Sequence, residues 1–140
     1  MVRLDAELIR QGLLNLLLNG MQAMPDGGVM RIRVRREKQF AVIDVTDEGV
    51  GIAPDVLPRI FELYFTTKPK GSGIGLAMTY RILQMHGGAM DVRSETDPTS
   101  AERGTTFSVR LPVMVSGMGA EARRPAGAVQ AELLGARETA

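Results

Sequence analysis

Residues 71 to 76 read Gly71-Ser72-Gly73-Ile74-Gly75-Leu76, and an apolar helical spacing begins inside them. Glycine has no Cβ, so the backbone can reach positive φ and approach a ligand closely. The free N–H groups and positive dipole end of the helix that follows favour an anion. The segment reads as a phosphate cradle, with a loose surface loop as the alternative. It matches neither of two common phosphate loops. The chain has no Gly-x-x-x-x-Gly-Lys-Ser/Thr run, and Leu76 stands where the dinucleotide fingerprint places its third glycine. Just upstream, Thr66-Thr67-Lys68-Pro69-Lys70 supplies hydroxyls and two cations within reach of such a phosphate. The alternative, solvated surface lysines, suits Lys70 better than Lys68.

Two further polar sets stand in apolar company. Asn15 and Asn19 lie four apart in or beside the greasy run from Leu13 to Leu18, and on a helix they share a side with Gln11 and Gln22. This stripe is either an ordinary solvent face or a row of amide oxygens aimed at a pocket. In the second case it suits Mg2+, which takes oxygen ligands and keeps waters beside substrate phosphates. Unpaired buried amides would otherwise cost about 1–3 kcal/mol each. Asp47 has the strand parity of Ile43 and Val45, so its carboxylate points with them and must find a partner. Gly49-Val50-Gly51-Ile52 turns the backbone tightly beside it and leaves a flat slot, where an adenine amino group would be a good donor. A turn aspartate capping its own loop is the alternative. His86, the only histidine, precedes Gly87-Gly88 at a helix end and reads as a capping and packing residue, not a catalytic one.

The elements that must position these residues follow from periodicity. The spacing predicts a first helix from Asp5 to about Met24, with Asp5 as N-cap and Leu4 stapled against Ile9. Pro25-Asp26-Gly27-Gly28 is a turn signal. Met30, Ile32 and Val34 alternate with arginines as one buried strand face, and a second strand runs from Phe40 to Asp47. The two-residue connection Lys38-Gln39 implies an antiparallel hairpin, although neither residue favours the turn, and the register stays open. Pro54 or Asp55 opens a short helix toward Ile60. Residues 62 to 73 read as a mobile loop, and the flanking aromatics Phe61 and Phe65 would dock it on the body in at least one state. A third helix runs from Ile74 to about Met85, ended by Gly87 in the left-handed conformation. Strands from Ala89 to Arg93 and Thr105 to Val113 follow, separated by a polar segment, Glu95 to Gly104. Residues 116 to 140 are rich in alanine, glycine, arginine and glutamate and read as a tail, with at most a helical turn or two at 129 to 134.

At 140 residues the chain suits one core. It has no cysteine, hence no disulfide or thiolate metal site, which agrees with a reducing compartment, the cytoplasm. No run reaches the roughly 18 apolar residues of a membrane helix, so this piece is expected to be soluble. A net charge of +1 gives no broad basic field for nucleic acid. Arg31, Arg33, Arg35 and Arg36 form a local cluster that reads as a solvated strand face.

In this order and spacing, the pieces resemble the ATP-binding catalytic domain of sensor histidine kinases, in the superfamily that also holds gyrase, Hsp90, the MutL repair proteins and anti-sigma-factor kinases. The resemblance runs from about Leu4 to Val113. Asn15-Leu16-Leu17-Leu18-Asn19 looks like the N box, Asp47-Glu48-Gly49-Val50-Gly51 the G1 box, Phe61 to Lys68 the F box and Gly71 to Leu76 the G2 box. His86-Gly87-Gly88 and Gly104-Thr105-Thr106-Phe107 resemble the closing segments, and the wording is nearest the nitrogen-regulation branch. The implied fold is α+β, a two-layer α/β sandwich (the Bergerat fold) with a mixed, mainly antiparallel sheet covered on one face by helices. Residues 1–115 would form this domain and 116–140 the tail.

The resemblance implies ATP and Mg2+ as cofactors, with Asn19 as the Mg2+ ligand and Asn15 its helper near the phosphates. Asp47 would bind the adenine amino group, and Gly49 and Gly51 would shape the base slot. Residues 53 to 73 would be the ATP lid, with Lys68 as a phosphate contact. Backbone N–H groups of Gly73, Ile74, Gly75 and Leu76 would cradle the phosphates, and Thr106 would lie near the base. The implied ATP-binding set also takes in Ile52, Thr67, Gly71 and Ser72.

One position sorts the subfamilies, and two departures qualify the implied role. ATP-hydrolysing relatives and anti-sigma kinases usually carry a glutamate where this chain has Asn15, and an amide cannot take a proton. The pattern therefore fits a domain that presents ATP to a nucleophile elsewhere, an imidazole that needs little deprotonation. Gln22 stands where many relatives carry a basic residue, which puts one phosphate contact in doubt. A whole kinase also needs a dimerising helical hairpin bearing the phosphoacceptor histidine, and relatives usually have a further strand and helix upstream of Val2-Arg3-Leu4-Asp5. The expectation is an N-terminally shortened fragment with an exposed sheet edge that invites pairing with another chain. Its partners would be that histidine-bearing domain and, indirectly, a response regulator, with no nucleic acid, and the parent either membrane-bound or cytosolic. The alternatives are a non-catalytic nucleotide-sensing or docking module of the same fold and an ATP-hydrolysing relative.

Overall fold

In a computed structural model, which describes residues 4–68, 71 and 73–113, the first helix forms as α1 (Ala6–Gln22). The expectations for Lys70, Ser72 and residues 116 to 140 lie outside the described residues. Asp5 is the N-cap, its carboxylate accepting the N–H groups of Glu7 and Leu8 at 3.0 and 3.2 Å. The hairpin follows as β1 (Met30–Glu37) and β2 (Phe40–Asp47), paired antiparallel with Met30 opposite Asp47 and Glu37 opposite Phe40. That register turns Ile32, Val34, Ile43 and Val45 to one face and Arg31, Arg33 and Arg35 to the other.

Lys38, the first residue of the two-residue turn, has a φ of 52°, where a side chain costs about 1–2 kcal/mol. Its side chain is exposed. Lys38→Gly should therefore raise stability by about 0.5–1 kcal/mol, the relief of that strain less glycine's extra chain entropy. Urea unfolding should show a higher midpoint at unchanged slope.

The short helix expected toward Ile60 is a single 3-10 turn, Leu57–Arg59. Pro58 explains the difference, since it has no N–H to give residue 54, and Arg59 and Ile60 instead bond three residues back, to Val56 and Leu57. The last helix is α2 (Gly75–Met85). Gly87 at φ 69° closes it as expected, with the N–H of Gly87 on Gln84 O at 3.1 Å and that of Gly88 on Leu83 O at 2.8 Å. β3 (Ala89–Glu95) and β4 (Gly104–Pro112) complete a sheet ordered β1-β2-β4-β3. The sheet, expected to be mixed but mainly antiparallel, is antiparallel in all three ladders among the described residues.

α1 and α2 pack against each other and against β2, β3 and β4 on one face of the sheet. The core between the layers joins Leu16, Leu83 and Ile60 to Val45, Met90, Phe107, Val109 and Leu111. His86 locks the two helices end to end: Nε2 accepts the Asp5 N–H at 3.0 Å, and Nδ1 lies 2.6 Å from Ile82 O. A ring nitrogen that accepts an N–H carries no proton, so Nδ1 is the donor to Ile82. The histidine is thus held in a capping and packing role.

On the open face Arg31 meets Glu48 at 3.1 Å and Arg35 bridges Asp44 and Glu37, while Arg36, of the other parity, donates to Lys38 O. Burial would push the Asp44 carboxyl up, but the Ser108 hydroxyl and the Arg35 guanidinium together hold it below the usual carboxylate range.

Candidate functional site

The end of α1, the end of β2, the start of α2 and the lid segment enclose a pocket of about 450 Å³. α1 contributes Asn15, Asn19 and Gln22, successive positions of one helical stripe. Asn15 sits deepest against α2: its Nδ2 lies 3.4 Å from both Gly75 O and Thr79 Oγ1. Thr79, almost fully buried, donates to Gly75 O at 2.9 Å and reaches Gly12 O at 3.4 Å. Asn15 and Thr79 together fix the height of the α2 N-terminus over α1. There the first-turn N–H groups of Gly75, Leu76 and Ala77 precede the first intrahelical bond, from Met78 N to Ile74 O. Among the described residues no acidic side chain lies in that turn, and none caps it. The positive end of α2 opens onto the pocket and suits phosphate oxygens.

At the other end, Asp47 is buried and points inward with its strand's apolar residues. Its Oδ1 accepts the N–H groups of Gly49 and Thr105, at 2.9 and 3.3 Å. Its Oδ2 lies on the side of Gly20, 3.5 Å from where a Cβ there would stand. Burial pushes the Asp47 carboxyl above its ordinary value, against the two N–H bonds and the charge of Lys68. The following loop is clamped from both sides. A Cβ on Gly49 would come within 2.5 Å of Ala23 O, and one on Gly51, at φ 78°, would run into Glu95 O. Val50 N–H donates to Ala23 O at 3.2 Å and Ile52 N–H to Ser94 Oγ at 2.7 Å. A fixed backbone thus stands beside a carboxylate acceptor.

The segment expected to be the lid lines this cavity through Phe65, Thr66, Thr67 and Lys68. Its base is closed by the Tyr64 N–H on Gly73 O at 2.8 Å, and Gly73, at φ 70°, leaves no room for a Cβ against the Tyr64 carbonyl carbon. Phe61 stacks on Tyr80 of α2 at 4.9 Å, and the Arg59 guanidinium lies 4.3 Å from the Phe65 ring centre. Lys68 reaches down into the pocket, its Nζ 2.6 Å from Asn19 Oδ1 and 2.6 Å from Gln22 Oε1. Burial draws the Lys68 ammonium below its ordinary value, opposed by the Asp47 charge.

The pocket thus gathers Asn15, Asn19, Asp47, Gly51, Ile52, Thr67, Lys68, Gly71, Gly73, Gly75 and Leu76 from the sequence-derived set. Gly49, Ile74 and Thr106 are not among its lining residues, and Ser72 lies outside the described ones. Gly49 acts behind the slot, against α1, and Ile74 is the backbone N-cap of α2. Thr106 is displaced by strand alternation. It faces the open side of the sheet, its hydroxyl 2.9 Å from that of Thr46, while its neighbour Thr105 lines the pocket opposite Asp47. The signal for Thr105 was present in the chain, since it shares parity with Phe107, Val109 and Leu111. The apolar wall of Leu18, Val50, Val56 and Ile60 carried no such signal.

A cation fits the amide stripe, because one is already seated there: the Lys68 ammonium takes two carbonyl oxygens at 2.6 Å each. Oxygen donors of this kind are what Mg2+ accepts.

The model of a histidine kinase-, DNA gyrase B-, and HSP90-like ATPase family matches residues 4–115. The sensor histidine kinase ZraS of Escherichia coli (strain K12) is 40% identical over 115 residues, which are 82% of this chain and 24% of that protein. The chain thus spans about a quarter of the length of such relatives. Among solved structures, the mycobacterial sensor histidine kinase MprB superposes with a TM-score of 0.69 at 34% identity, covering 77% of this chain and 72% of that one. Full-length ShkA in complex with AMPPNP gives 0.67 at 30% identity, over 78% of this chain and 22% of that one.

Proposed function

Because the chain belongs to the histidine kinase-, DNA gyrase B-, and HSP90-like ATPase family, in the company of sensor histidine kinases, we propose that it binds ATP with Mg2+ and presents the γ-phosphate to a histidine on another domain. The observation that carries this reading is the alignment of three features along one pocket: a buried carboxylate at one end, a helix N-terminus with no acidic residue in its first turn at the other, and amide oxygens between them. Their order fits adenine, phosphates and metal.

Asp47 Oδ2 accepts the adenine amino group while Oδ1 stays on the Gly49 and Thr105 amides. The amides of Gly75 and Leu76 hold phosphate oxygens at the head of α2. Asn19 Oδ1 would hold Mg2+, which supplies charge neutralisation between phosphates when bound. Asn15 keeps the α2 head in place through Gly75 O and Thr79 and offers no base to activate water. The reading therefore favours presentation over hydrolysis. Its partners are a histidine-bearing helical domain and, beyond it, a response regulator, and its setting is the cytoplasm. No helix among the described residues is long and apolar enough to cross a membrane.

Titration of a non-hydrolysable ATP analogue, with and without Mg2+, tests the assignment. Wild type should bind more tightly with metal, and Asn19→Ala should lose most of that gain, about tenfold or more. A metal response that survives Asn19→Ala removes Asn19 as the ligand.

A further inference from the structure

The contact between the lid and α1 goes beyond a surface hydrogen bond. Lys68 Nζ has no acceptor capacity, so both partners must turn their carbonyl oxygens to it. Those oxygens, Asn19 Oδ1 and Gln22 Oε1, stand three residues apart on one face of a rigid helix, and each lies 2.6 Å from the nitrogen. The buried carboxylate of Asp47 adds its negative field to the pocket around Lys68. The lysine itself is offered on a short closed turn, with its own N–H on Thr66 Oγ1 at 3.0 Å and the Gly71 N–H on its carbonyl at 3.0 Å.

Resting on the metal–nucleotide reading above, we propose that Asn19 and Gln22 form a two-oxygen cation site, which Lys68 fills as a tethered counter-cation until Mg2+ arrives with nucleotide and takes its place. Gln22 becomes a second protein ligand beside Asn19. The two cations exclude each other, because a carbonyl lone pair directed at Nζ is not available to a metal, and like charges at that spacing repel. Metal binding and lid position are therefore one coupled equilibrium, in which expelling Lys68 releases the segment from 65 to 68 from α1. The device keeps the two amide oxygens hydrogen-bonded in the empty protein and loosens the lid only for nucleotide that carries its metal.

Calorimetric titration of ADP in EDTA and in Mg2+ reads the exchange as a ratio of two affinities. In Lys68→Met the metal-free affinity should fall, since the tethered charge no longer neutralises phosphate, while the affinity with Mg2+ should rise because the metal's competitor is gone. The ratio should widen about tenfold, the size of one charge-assisted hydrogen bond. In Gln22→Leu the metal-supported affinity should fall and the ratio narrow by about fivefold to tenfold. Without any nucleotide, hydrogen exchange at the lid amides of residues 62 to 68 should quicken about tenfold in Lys68→Met. Equal losses with and without metal in Lys68→Met, an unmoved ratio in Gln22→Leu, or unchanged lid exchange each overturn the cation exchange while the nucleotide pocket stands. A wild type that binds ADP in neither buffer overturns the underlying reading as well.

Discussion

Asp47→Asn should cost the pocket about a hundredfold or more in affinity for an ATP analogue, while the folded protein stays as stable as wild type or gains slightly. The substituted amide can keep its oxygen on the Gly49 and Thr105 N–H groups, which accept no substitute. Its nitrogen must then take the place of Oδ2 and point donors at the adenine amino group, itself a donor. The loss combines a hydrogen bond to a charged acceptor, worth about 1.5–3 kcal/mol, with a clash of like polarity, and about 2.7 kcal/mol already makes a hundredfold. Stability moves the other way. Burial raises the native pKa of Asp47 above its unfolded value, so its contribution to stability is complete below the unfolded pKa and is lost as pH rises through the native one. At neutral pH the ionised carboxylate is a cost that asparagine does not carry. Thermal melts between pH 4 and 7 should show wild type losing stability relative to Asp47→Asn as pH rises. Equal nucleotide affinity in the two proteins would remove Asp47 from the base site.

The helical stripe of Asn15, Asn19 and Gln22 and the inward parity of Asp47 were legible because both rest on local periodicity, and the fold keeps that periodicity. The same parity puts Thr105 in the pocket where the resemblance had implied Thr106, since the antiparallel register sets Asp47 opposite Thr105. What the chain could not disclose was longer-ranged. The position of β4 between β2 and β3 depends on a crossover through the lid and α2 that no local pattern encodes. Lys68 reads as a phosphate-facing cation in sequence, yet its partners lie 46 and 49 positions away on α1. Thr79 looked like one more residue of an amphipathic helix, and only the close crossing at Gly12 shows that its hydroxyl helps fix the α2 N-terminus.

Gly104→Ala should be the most damaging single methyl in the described structure. Gly104 has a φ of 123°, and a Cβ there would run into Asp47 O, with Asp47 C at 2.8 Å and Glu48 Cα at 3.0 Å. All three are backbone atoms at the end of a paired strand, so no side chain can swing aside. Strain at the dihedral, about 1–3 kcal/mol, adds to overpacking of about 1–3 kcal/mol. A total of about 3–5 kcal/mol is a large share of a small domain's stability and should lower Tm by roughly 15 °C or more. Gly27→Ala isolates the two causes. Gly27 has a φ of 89° but nothing within 4 Å of its would-be Cβ, so it should lose only the dihedral share. Because the displaced atoms carry Asp47, Gly104→Ala should also weaken nucleotide at temperatures where it is still folded, whereas Gly27→Ala should bind normally. Equal losses of stability in the two variants would mean that the sheet end yields to the methyl, and that the base slot is less rigid than its hydrogen bonds require.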